Sequence, residues 1–514
     1  MANALRVAAA RAQISAGRQR NYAAGAQFSR LNTEWIRSSS SIDQEARSDL
    51  RILRGRARTL VRDNEHARAV VRILATNIIG AHGIRPIPMN EGANGELAKK
   101  ANAAIMRAWR LWSHAEHAST DTRHAFAEVE RQIVKGIVTD GEAIVRIWDG
   151  FDNAFGFALE IIDPDLLDEQ FNRGPDQFGN EIRMGIEIDK YHRPVAYHLW
   201  RHHPSEPGYR YNDRLRVPAA EIRHLFVPLR PGQTRGISWF ACVLLNAKML
   251  AGYTEAELVA ARSAAAKMGF FETALDAGES FQMPADGEML TMDGSPGLAT
   301  QLPPGMTFKE WDPKHPSTAF DTFVSAILRA QAVGLGVSYM TLTGDLAKTS
   351  FSSAKVGLMP ERDEFETLQV WLAEHLHRPI YRAWLPFALL TPFLSLPSYD
   401  ASRWMEVRFQ GRRWPWIDGL KEIDAAGKEI GLGVNSRQNV CRSLGRDFET
   451  ILEELAHENK LAKEYEVDIT GATVTVKEDA LGNDSEEEDD PGTPESATSD
   501  DGAKPARALR RMSA

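Results

Sequence analysis

The stretch that decides the fold is residues 335–358, which reads LGVSYMTLTGDLAKTSFSSAKVGL. It opens with an apolar segment that we interpret as extended, breaks at Gly344, and continues as a polar run over residues 345–353. Apolar residues recur at helical spacing on both sides of it, in residues 317–335 and in residues 352–384. The pattern therefore predicts a polar loop between two helices.

Length and composition indicate a multidomain globular protein. The 514 residues exceed what one hydrophobic core usually organises, and 43% hydrophobic with 25% charged residues is ordinary for a soluble chain. The two cysteines, Cys242 and Cys441, have neither disulfide-framework nor metal-ligand spacing. Arginines interrupt every apolar run near the N-terminus, so no signal peptide is predicted. Three prolines within the apolar residues 383–399 favour buried turns over a membrane span.

Charge is distributed unevenly along the chain. Residues 1–72 contain fourteen Arg and no Lys against six acids, a balance of +8. Residues 478–502 contain eleven acids and no base, a balance of -11. Because the whole chain carries -9, the remainder is mildly acidic. Such a body is not typical of a protein that grips DNA over a broad basic face.

Helical and β-like patterns occupy different parts of the chain. Helical periodicity marks three early segments, residues 43–78, 96–114 and 121–139. Between residues 142 and 226 short runs of period two, separated by turn residues, predict an antiparallel sheet. A helix of about 33 residues follows at 236–268, and its alanine-rich second half predicts a partner helix. Gly- and Pro-rich residues 269–316 predict a small inserted module.

Catalytic and ligand-binding motifs are missing from the sequence. The segment GDLAKT, residues 344–349, resembles a phosphate-binding loop but has Ala347 where the glycine before the lysine should be. His114, His117 and His124 lack a further ligand at metal-binding spacing, and no GxSxG motif marks a nucleophile. We therefore expect no metal, no cofactor and no enzymatic activity.

Seven segments in one order resemble the lambda-type tailed-bacteriophage portal protein family. They are residues 77–88 (NIIGAHGIRPIP), 140–147 (DGEAIVRI), 161–168 (IIDPDLLD), 193–200 (RPVAYHLW), 230–239 (RPGQTRGISW), 336–358 and 412–440. None is a catalytic signature, so the specificity lies in their number and order. The resemblance covers roughly residues 45–465.

The resemblance implies an α+β portal fold that assembles as a ring around a DNA channel. The expected parts are a basic N-terminal arm (1–44), a wing of helices and antiparallel sheet (45–235), stem helices (236–268 and 317–335), a clip (269–316), a tunnel loop (336–352), a long helix (353–385), a wing return (386–418), a crown region (419–470) and an acidic disordered tail (471–514).

The resemblance also implies a function and a set of partners. A ring of this family, a dodecamer in virions, forms the channel at one capsid vertex for packaging and ejecting double-stranded DNA. It docks the terminase large subunit and then a head-tail adaptor, contacts major capsid protein and scaffold, and assembles in the host cytoplasm without a membrane. The alternatives are a packaging enzyme that processes nucleic acid, and a non-portal structural protein of the head.

The expected DNA-channel residues lie in the loop and its flanking helices. Because DNA must slide in both directions, no base should be read and few basic residues should face the channel. The candidates are Lys348, Thr349, Ser350, Ser352, Lys355 and Arg329. For each basic residue the alternative interpretation is an ion pair within the subunit or between subunits.

Overall fold

The computed structural model describes residues 40–92, 98–210, 213–265, 269–273, 306–310, 320–347, 350–415 and 418–465. The chain divides into two units, one ending at Gly445 and the other beginning at Arg446. Nearly all of the predicted arm, most of the predicted clip and all of the predicted acidic tail therefore lie outside the described residues.

Two helices begin the described chain, where the sequence predicted one continuous helical region. Helix α1 spans Ile42–Asp63 and helix α2 spans Glu65–Ile79. The break falls at Asn64, whose side-chain oxygen accepts a hydrogen bond from the Ala67 amide at 2.9 Å. Asparagine favours this capping geometry over a helix interior, so a new helix starts here.

Three more helices complete the early part of the first unit. After strand β1 (Arg85–Pro88) come α3 (Lys99–Trp112), the single turn α4 (Ala115–Ala118) and α5 (Phe126–Asp140). Helix α5 ends at Gly141, which adopts a left-handed φ of 91°. Glycine takes this conformation without steric cost, so it ends the helix and starts the next strand.

The β-like runs form two antiparallel sheets. The strands are β2 (Ala143–Asp149), β3 (Phe157–Ile162), β4 (Glu181–Arg183), β5 (Ile186–Ile188), β6 (Pro194–Trp200), β7 (Arg214–Pro218) and β8 (Ile222–Leu225). One sheet has the order β3-β2-β8 and the other β4-β5-β6-β7. The predicted single run 181–189 is a hairpin, because Met184 and Gly185 both have positive φ, 45° and 84°, as a two-residue turn requires.

Strand β7 was not among the β-like runs predicted from the sequence. Arg214 donates to Asp168 at 2.6 Å, and Arg216 donates to Glu187 at 2.9 Å. Both acids are buried, so the two arginines, of which Arg216 is itself exposed, neutralise carboxylates inside the sheet. The pairing of β7 with β6 is regular over five residues.

The long helices follow the sheets. Residues Trp239–Cys242 form a 3-10 turn, and α6 runs over Leu244–Ala265, so it begins later than the predicted residue 236. Strands β9 (Gly269–Thr273) and β10 (Met306–Glu310) pair antiparallel, and α7 spans Phe320–Gly334. The predicted extended segment after it contains a short helix instead, α8 (Tyr339–Thr343).

The predicted long helix 352–384 is divided in two by a π-helical turn. Helix α9 spans Phe351–Leu372 and continues through Pro360, Ala373–His377 form the turn, and α10 spans Arg378–Leu389. His377 is buried, and its Nδ1 lies 3.0 Å from the Leu372 carbonyl while its Nε2 contacts Glu130 of α5. The π-helical turn therefore places the His377 imidazole in the interior, against Glu130 of α5.

The predicted β-like return near residue 404 is confirmed as a strand. Strand β11 (Val407–Gln410) pairs antiparallel with β1, so the chain comes back to its early helices. Helices α11 (Gly419–Gly431) and α12 (Arg437–Ser443) complete the first unit. The second unit contains helix α13 (Phe448–Glu464). No described helix combines the length and apolar character that a membrane crossing needs.

Aromatic packing joins the early and late helices into one core. Trp109 of α3 lies 4.8 Å from Trp112 and 5.0 Å from Trp384 of α10, measured between ring centroids. Tyr381 is fully buried and donates its hydroxyl to the Trp404 carbonyl at 3.0 Å. Large buried aromatic rings contribute strongly to stability, so these contacts hold α10 against α3.

Candidate functional site: the loop between α8 and α9

Local hydrogen bonds define where the loop begins. Ser338 caps α8 by accepting the Thr341 amide at 3.1 Å. Gly344 ends the helix with a left-handed φ of 72°, and its amide donates to the Met340 carbonyl at 2.8 Å. Asp345 then accepts the Ala347 amide at 2.9 Å in a side-chain turn. Serine as a cap and glycine as a stop are the usual signals, so α8 is encoded locally.

Helix α9 begins directly after the loop. Ser350 is its N-cap and accepts the Ser353 amide at 3.3 Å. The Ser350 and Ser353 hydroxyls are also hydrogen-bonded to each other at 3.0 Å. Both ends of the loop are thus capped by side chains, which fixes the direction in which the loop leaves the two helices.

A buried carboxyl group connects α8 to α9. Glu361 is 6% exposed, and one of its oxygens accepts the Thr341 hydroxyl at 2.9 Å. Burial raises the pKa of Glu361, and the Thr341 hydrogen bond offsets only part of that effect. Its other carboxyl oxygen has no side-chain or backbone hydrogen-bond partner among the described residues. Burial therefore favours the neutral carboxylic acid, whereas the Thr341 hydrogen bond favours the carboxylate.

A second contact connects α8 to α7. The Arg329 guanidinium lies 5.0 Å from the centroid of the Tyr339 ring, a cation-π distance. The Tyr339 hydroxyl donates to the Ser325 hydroxyl at 3.4 Å. Helix α8 is consequently held between α7 and α9, and the base of the loop is supported on both sides.

The structure places the six predicted channel residues in different surroundings. Lys348 and Thr349 lie outside the described residues. Ser350 is the cap of α9 and Ser352 is exposed. Lys355 donates to Glu422 of α11 at 2.8 Å, and Arg329 stacks on Tyr339. Each of the two described basic residues thus has an intrachain partner, and a contact of either with DNA stays a prediction.

A buried charge cluster that was not predicted from the sequence lies between α1, strand β8 and the residues leading into α6. Glu142 is fully buried and accepts Arg54 at 2.7 Å and Arg235 at 3.0 Å. It also lies 2.9 Å from the His224 Nε2 and accepts the Gly236 amide at 2.9 Å. We call these five residues the Glu142 junction. It ties α1, β8 and the approach to α6 to one carboxylate.

Electrostatics keep Glu142 ionised. Burial alone would raise its pKa, but the Arg235 and His224 side chains outweigh burial and hold the pKa of Glu142 well below its usual range. Three of the segments that carry the portal resemblance meet here, because Glu142 lies in 140–147, Arg235 lies in 230–239, and Arg235 also donates to the Leu167 carbonyl in 161–168. Their spacing alone does not reveal that they touch.

Beside the junction, three side chains have the geometry of a metal site. Asp163, Asp165 and His203 bring one ligand atom each within 4.8 Å of one another. Arg58 donates to Asp163 and Asp165 at 2.7 Å each, and Arg54 donates to Asp165 at 2.6 Å. The two guanidinium groups already supply the positive charge these carboxylates need, so the cluster is an ion-pair network.

Helices α6 and α7 enclose an apolar groove of about 740 Å³. Its lining includes Met249 and Tyr253 of α6 and Phe323, Ile327 and Ala330 of α7. The Tyr253 ring lies 5.2 Å from Phe323, and Met249 is 65% exposed. The groove has few polar atoms to orient a small ligand, whereas its shape and chemistry suit another helix.

Comparison with known proteins identifies the class. The family described as phage portal protein, lambda family, matches residues 28–369. The chain is 32% identical over 441 residues to a probable portal protein of Halomonas phage phiHAP-1, covering 84% of this chain and 85% of that protein. It is 23% identical over 474 residues to portal protein B of Escherichia phage lambda, covering 84% and 88%. This chain belongs to the lambda family of phage portal proteins.

Among solved structures, the chain is similar to one in the neck of an empty gene transfer agent particle, with a TM-score of 0.42 and 14% identity. That similarity covers 76% of this chain and 93% of the other.

Membership of the family establishes the role. Portal proteins are structural, non-catalytic head-tail connectors of the virion, and they form oligomeric rings. The predicted portal function is therefore confirmed, and the predicted α+β portal fold agrees with the mixed helices and sheets described above. The two alternatives, a packaging enzyme and a non-portal head protein, do not apply.

Proposed function

We propose that copies of this chain assemble at one capsid vertex into a ring, dodecameric as the family resemblance implies, whose channel passes double-stranded DNA during packaging and ejection. The surface of α6 supports this proposal best. Its buried positions, such as Ala247, Leu250 and Glu257, lie on one narrow face. Elsewhere on the helix Leu245, Met249, Leu258 and Val259 are between 54% and 70% exposed.

An apolar surface of this extent needs a cover. Helices that are apolar around most of their circumference are normally packed on several sides, and an isolated subunit would leave α6 facing water. The adjacent groove between α6 and α7 is similarly apolar. A second copy of the chain, presenting its own α6 or α7, would bury both surfaces. Repetition of that contact by a fixed rotation closes a ring.

The ring contact is tested by placing a charge in the apolar surface. Met249→Glu should convert rings into monomers or small oligomers, since a carboxylate would have to be buried at the contact. Lys248→Glu introduces the same side chain at the neighbouring exposed position and should leave rings intact. Mass photometry and negative-stain imaging measure the outcome. Equal ring yields for the two variants would contradict the proposal.

For the loop, we assign Lys348 as the main basic residue that meets DNA. Each lysine that neutralises a phosphate adds salt-dependent affinity, and a ring multiplies every contact, so one lysine per subunit is enough for a sliding channel. Thr349, Ser350 and Ser352 would be weak polar neighbours. Lys355 and Arg329 are secondary candidates, since each already has a partner within the chain.

Packaging in infected cells tests the loop. Lys348→Ala combined with deletion of residues 346–350 should lower packaging efficiency or genome retention. Lys190→Ala, an exposed lysine in the turn between β5 and β6, is the control for loss of one positive charge. Undiminished packaging and retention in the loop variant would remove the DNA role of the loop.

The inserted segment between β9 and β10 is proposed to dock the terminase large subunit and later the head-tail adaptor. Strands β9 and β10 bring the two ends of the segment together, as a projecting module requires. Replacing residues 274–305 with a short turn should abolish terminase binding while rings still form. Loss of the rings themselves would leave the docking proposal without support.

Contacts with the major capsid protein and scaffold are proposed for the basic arm and the acidic tail during assembly in the host cytoplasm. Their opposite charges, +4 over residues 1–44 and -11 over residues 478–502, would suit partners of opposite sign. A chain lacking residues 478–514 should recover less scaffold in a pull-down. Equal recovery would exclude the tail as the scaffold contact.

A further inference from the structure

A second groove, of about 670 Å³, lies between helix α5 and the outer edge of strand β3. Val129, Gln132, Gly136 and Thr139 line it from α5, at the three- and four-residue spacing that puts side chains on one helix face. Residues 159–164 line the opposite side. The groove is therefore a slot with a helix on one wall and a strand edge on the other.

At the outer edge of β3, the backbone N–H and C=O of one residue are available to an added strand. In an antiparallel pair, the N–H and C=O of alternate residues point away from the partner strand. The Leu159 carbonyl accepts the Thr120 amide at 3.0 Å, and the Phe157 carbonyl accepts Trp112 Nε1 at 3.1 Å, so the odd-numbered residues point outward. Ile161 is the next of these, and no residue in the described part of the chain bonds its backbone on that side.

The chain itself begins a strand in this slot and then leaves it. Ser119 forms a parallel bridge with Leu159. Three residues later, Thr122 adopts a φ of 56° and its amide returns to the Ser119 carbonyl, which turns the backbone away. The edge at Ile161 remains open beyond this bridge. An unpaired edge of this kind accepts an extended segment as an added strand.

The groove is acidic, which selects the kind of segment it takes. Its lining carries the carboxylates of Asp121, Asp140, Glu160 and Asp163. Against them stand Lys135 and Arg58, and the Arg58 guanidinium is bonded to Asp140 and Asp163 at 2.7 Å each. His124 Nε2 lies 3.5 Å from Asp121. Even without the buried Glu142, acids outnumber the permanent positive charges, so a basic occupant is favoured.

We propose that the groove is occupied by the N-terminal segment of the same chain, residues 1–39, added to the β3 edge in extended form. Residues 1–33 contain five arginines and no acid. The segment is joined to α1, and Arg58 of α1 lines the groove about 24 Å along the helix from Ile42. About eight extended residues cover that distance, so the arginine-bearing part reaches the slot.

Photo-cross-linking of the full-length protein tests the occupant. The cross-linker p-benzoylphenylalanine at Gln132 faces the groove, and the same cross-linker at Phe178, an aromatic residue that is 77% exposed in a turn, is the matched control. Isotopically heavy and light chains are mixed before assembly, so that links within a chain differ in mass from links between chains. The expected product joins position 132 to residues 1–39 of the same chain.

Three variants separate strand addition from chance proximity. Ile161→Pro removes the amide that an added strand would bond and should lower the cross-link yield several-fold; it should also lower the melting temperature somewhat, because the Ile161 side chain packs against the core. Asp121→Asn should lower the yield, and Lys135→Gln should raise it, in keeping with an acidic groove and a basic segment.

Links from Gln132 to residues 40–514 outside the lining of the groove, with none to residues 1–39, would overturn the proposal. So would links formed only between heavy and light chains, which would assign the groove to a second copy. A yield no higher than that of the Phe178 control would likewise mean that the groove is empty of the N-terminal segment.

Discussion

Glu142 shows how one residue can set the direction of a helix that starts two residues after a turn. Its carboxylate meets two guanidinium groups, an imidazole and the Gly236 amide, all in the interior. A buried charge is tolerated only when its partners satisfy it, so the junction acts as a unit. The sequence could not reveal it, because Arg54, His224 and Arg235 lie more than eighty residues away along the chain.

Removing the charge of Glu142 tests the junction. Glu142→Gln should lower the free energy of unfolding by roughly 3–5 kcal/mol, since Arg54 and Arg235 would stay buried without their carboxylate. Glu221→Gln breaks the partly exposed pair with Arg146 and should cost at most about 1 kcal/mol. Urea unfolding of both variants measures the difference. Equal losses would mean that the junction contributes no more than a surface pair.

We expect the contribution of Glu361 to stability to change with pH in the opposite direction from that of an ordinary surface acid. Burial raises the pKa of Glu361 in the folded state above its value in the unfolded chain. The neutral carboxyl therefore stabilises the fold at low pH, and this stabilisation is lost as the pH rises from the unfolded-state pKa through the folded-state pKa. Glu361→Gln keeps an oxygen for the Thr341 hydroxyl and cannot ionise. We expect it to melt above the natural protein near pH 7 and no higher near pH 4.

The control for Glu361 lies on the same helix. Glu364→Gln removes an exposed carboxylate from α9 and should leave the melting temperature unchanged at both pH values. If Glu361→Gln and Glu364→Gln behave alike at neutral pH, the buried carboxyl is not a source of instability at the base of the loop.

At the scale of elements, periodicity located most helices and strands, and single residues decided where they broke. The runs that became β2, β3, β6 and β8 were visible because they alternate or are continuously apolar. The division at Asn64, the hairpin at Met184–Gly185 and helix α8 depend on caps and positive φ angles that hydrophobic pattern does not register. The Ser338 and Gly344 signals of α8 were nevertheless readable from the sequence.

The backbone that leads into α6 requires a glycine at position 236. A side chain at Gly236 would collide with the Gly141 carbonyl, where the end of α5 passes the turn before α6. Gly236→Ala should therefore destabilise the protein by about 1–3 kcal/mol and lower ring yield. Gly174→Ala, in a loop with open space around the position, should change the stability by less than about 0.5 kcal/mol. Thermal unfolding and ring counting distinguish the two.

For the whole molecule, the net charge of the chain is a less useful guide to DNA binding than the charges at its two ends. The chain carries -9, and residues 478–502 carry -11, so their removal leaves a chain of net charge +2. The portal function was recognisable from the order of seven segments, and the alanine-rich half of the helix predicted at 236–268 indicated a partner helix. Which exposed side chains of α6 would meet that partner could not be predicted, because their exposure depends on how α6 packs against the rest of the chain.

Deleting the acidic residues should strengthen nonspecific DNA binding. We expect about tenfold tighter binding of duplex DNA by the chain lacking residues 478–502 at about 0.1 M salt, and no difference at about 1 M, where screening is complete within a few ångströms. Replacing the eleven acids by Asn and Gln should reproduce the effect at constant length. Unchanged affinity at low salt in both variants would show that the tail does not oppose DNA.

The pairing of β9 with β10 has a consequence for how the sequence between the two strands can vary during evolution. Thr273 and Met306 are opposite each other in that ladder, so the segment between them leaves and re-enters the molecule at one place. A replacement of any length needs only to bridge the roughly 5 Å between neighbouring strands. Segments of different length and sequence can thus be accommodated between β9 and β10 during evolution without a change in the pairing of the two strands.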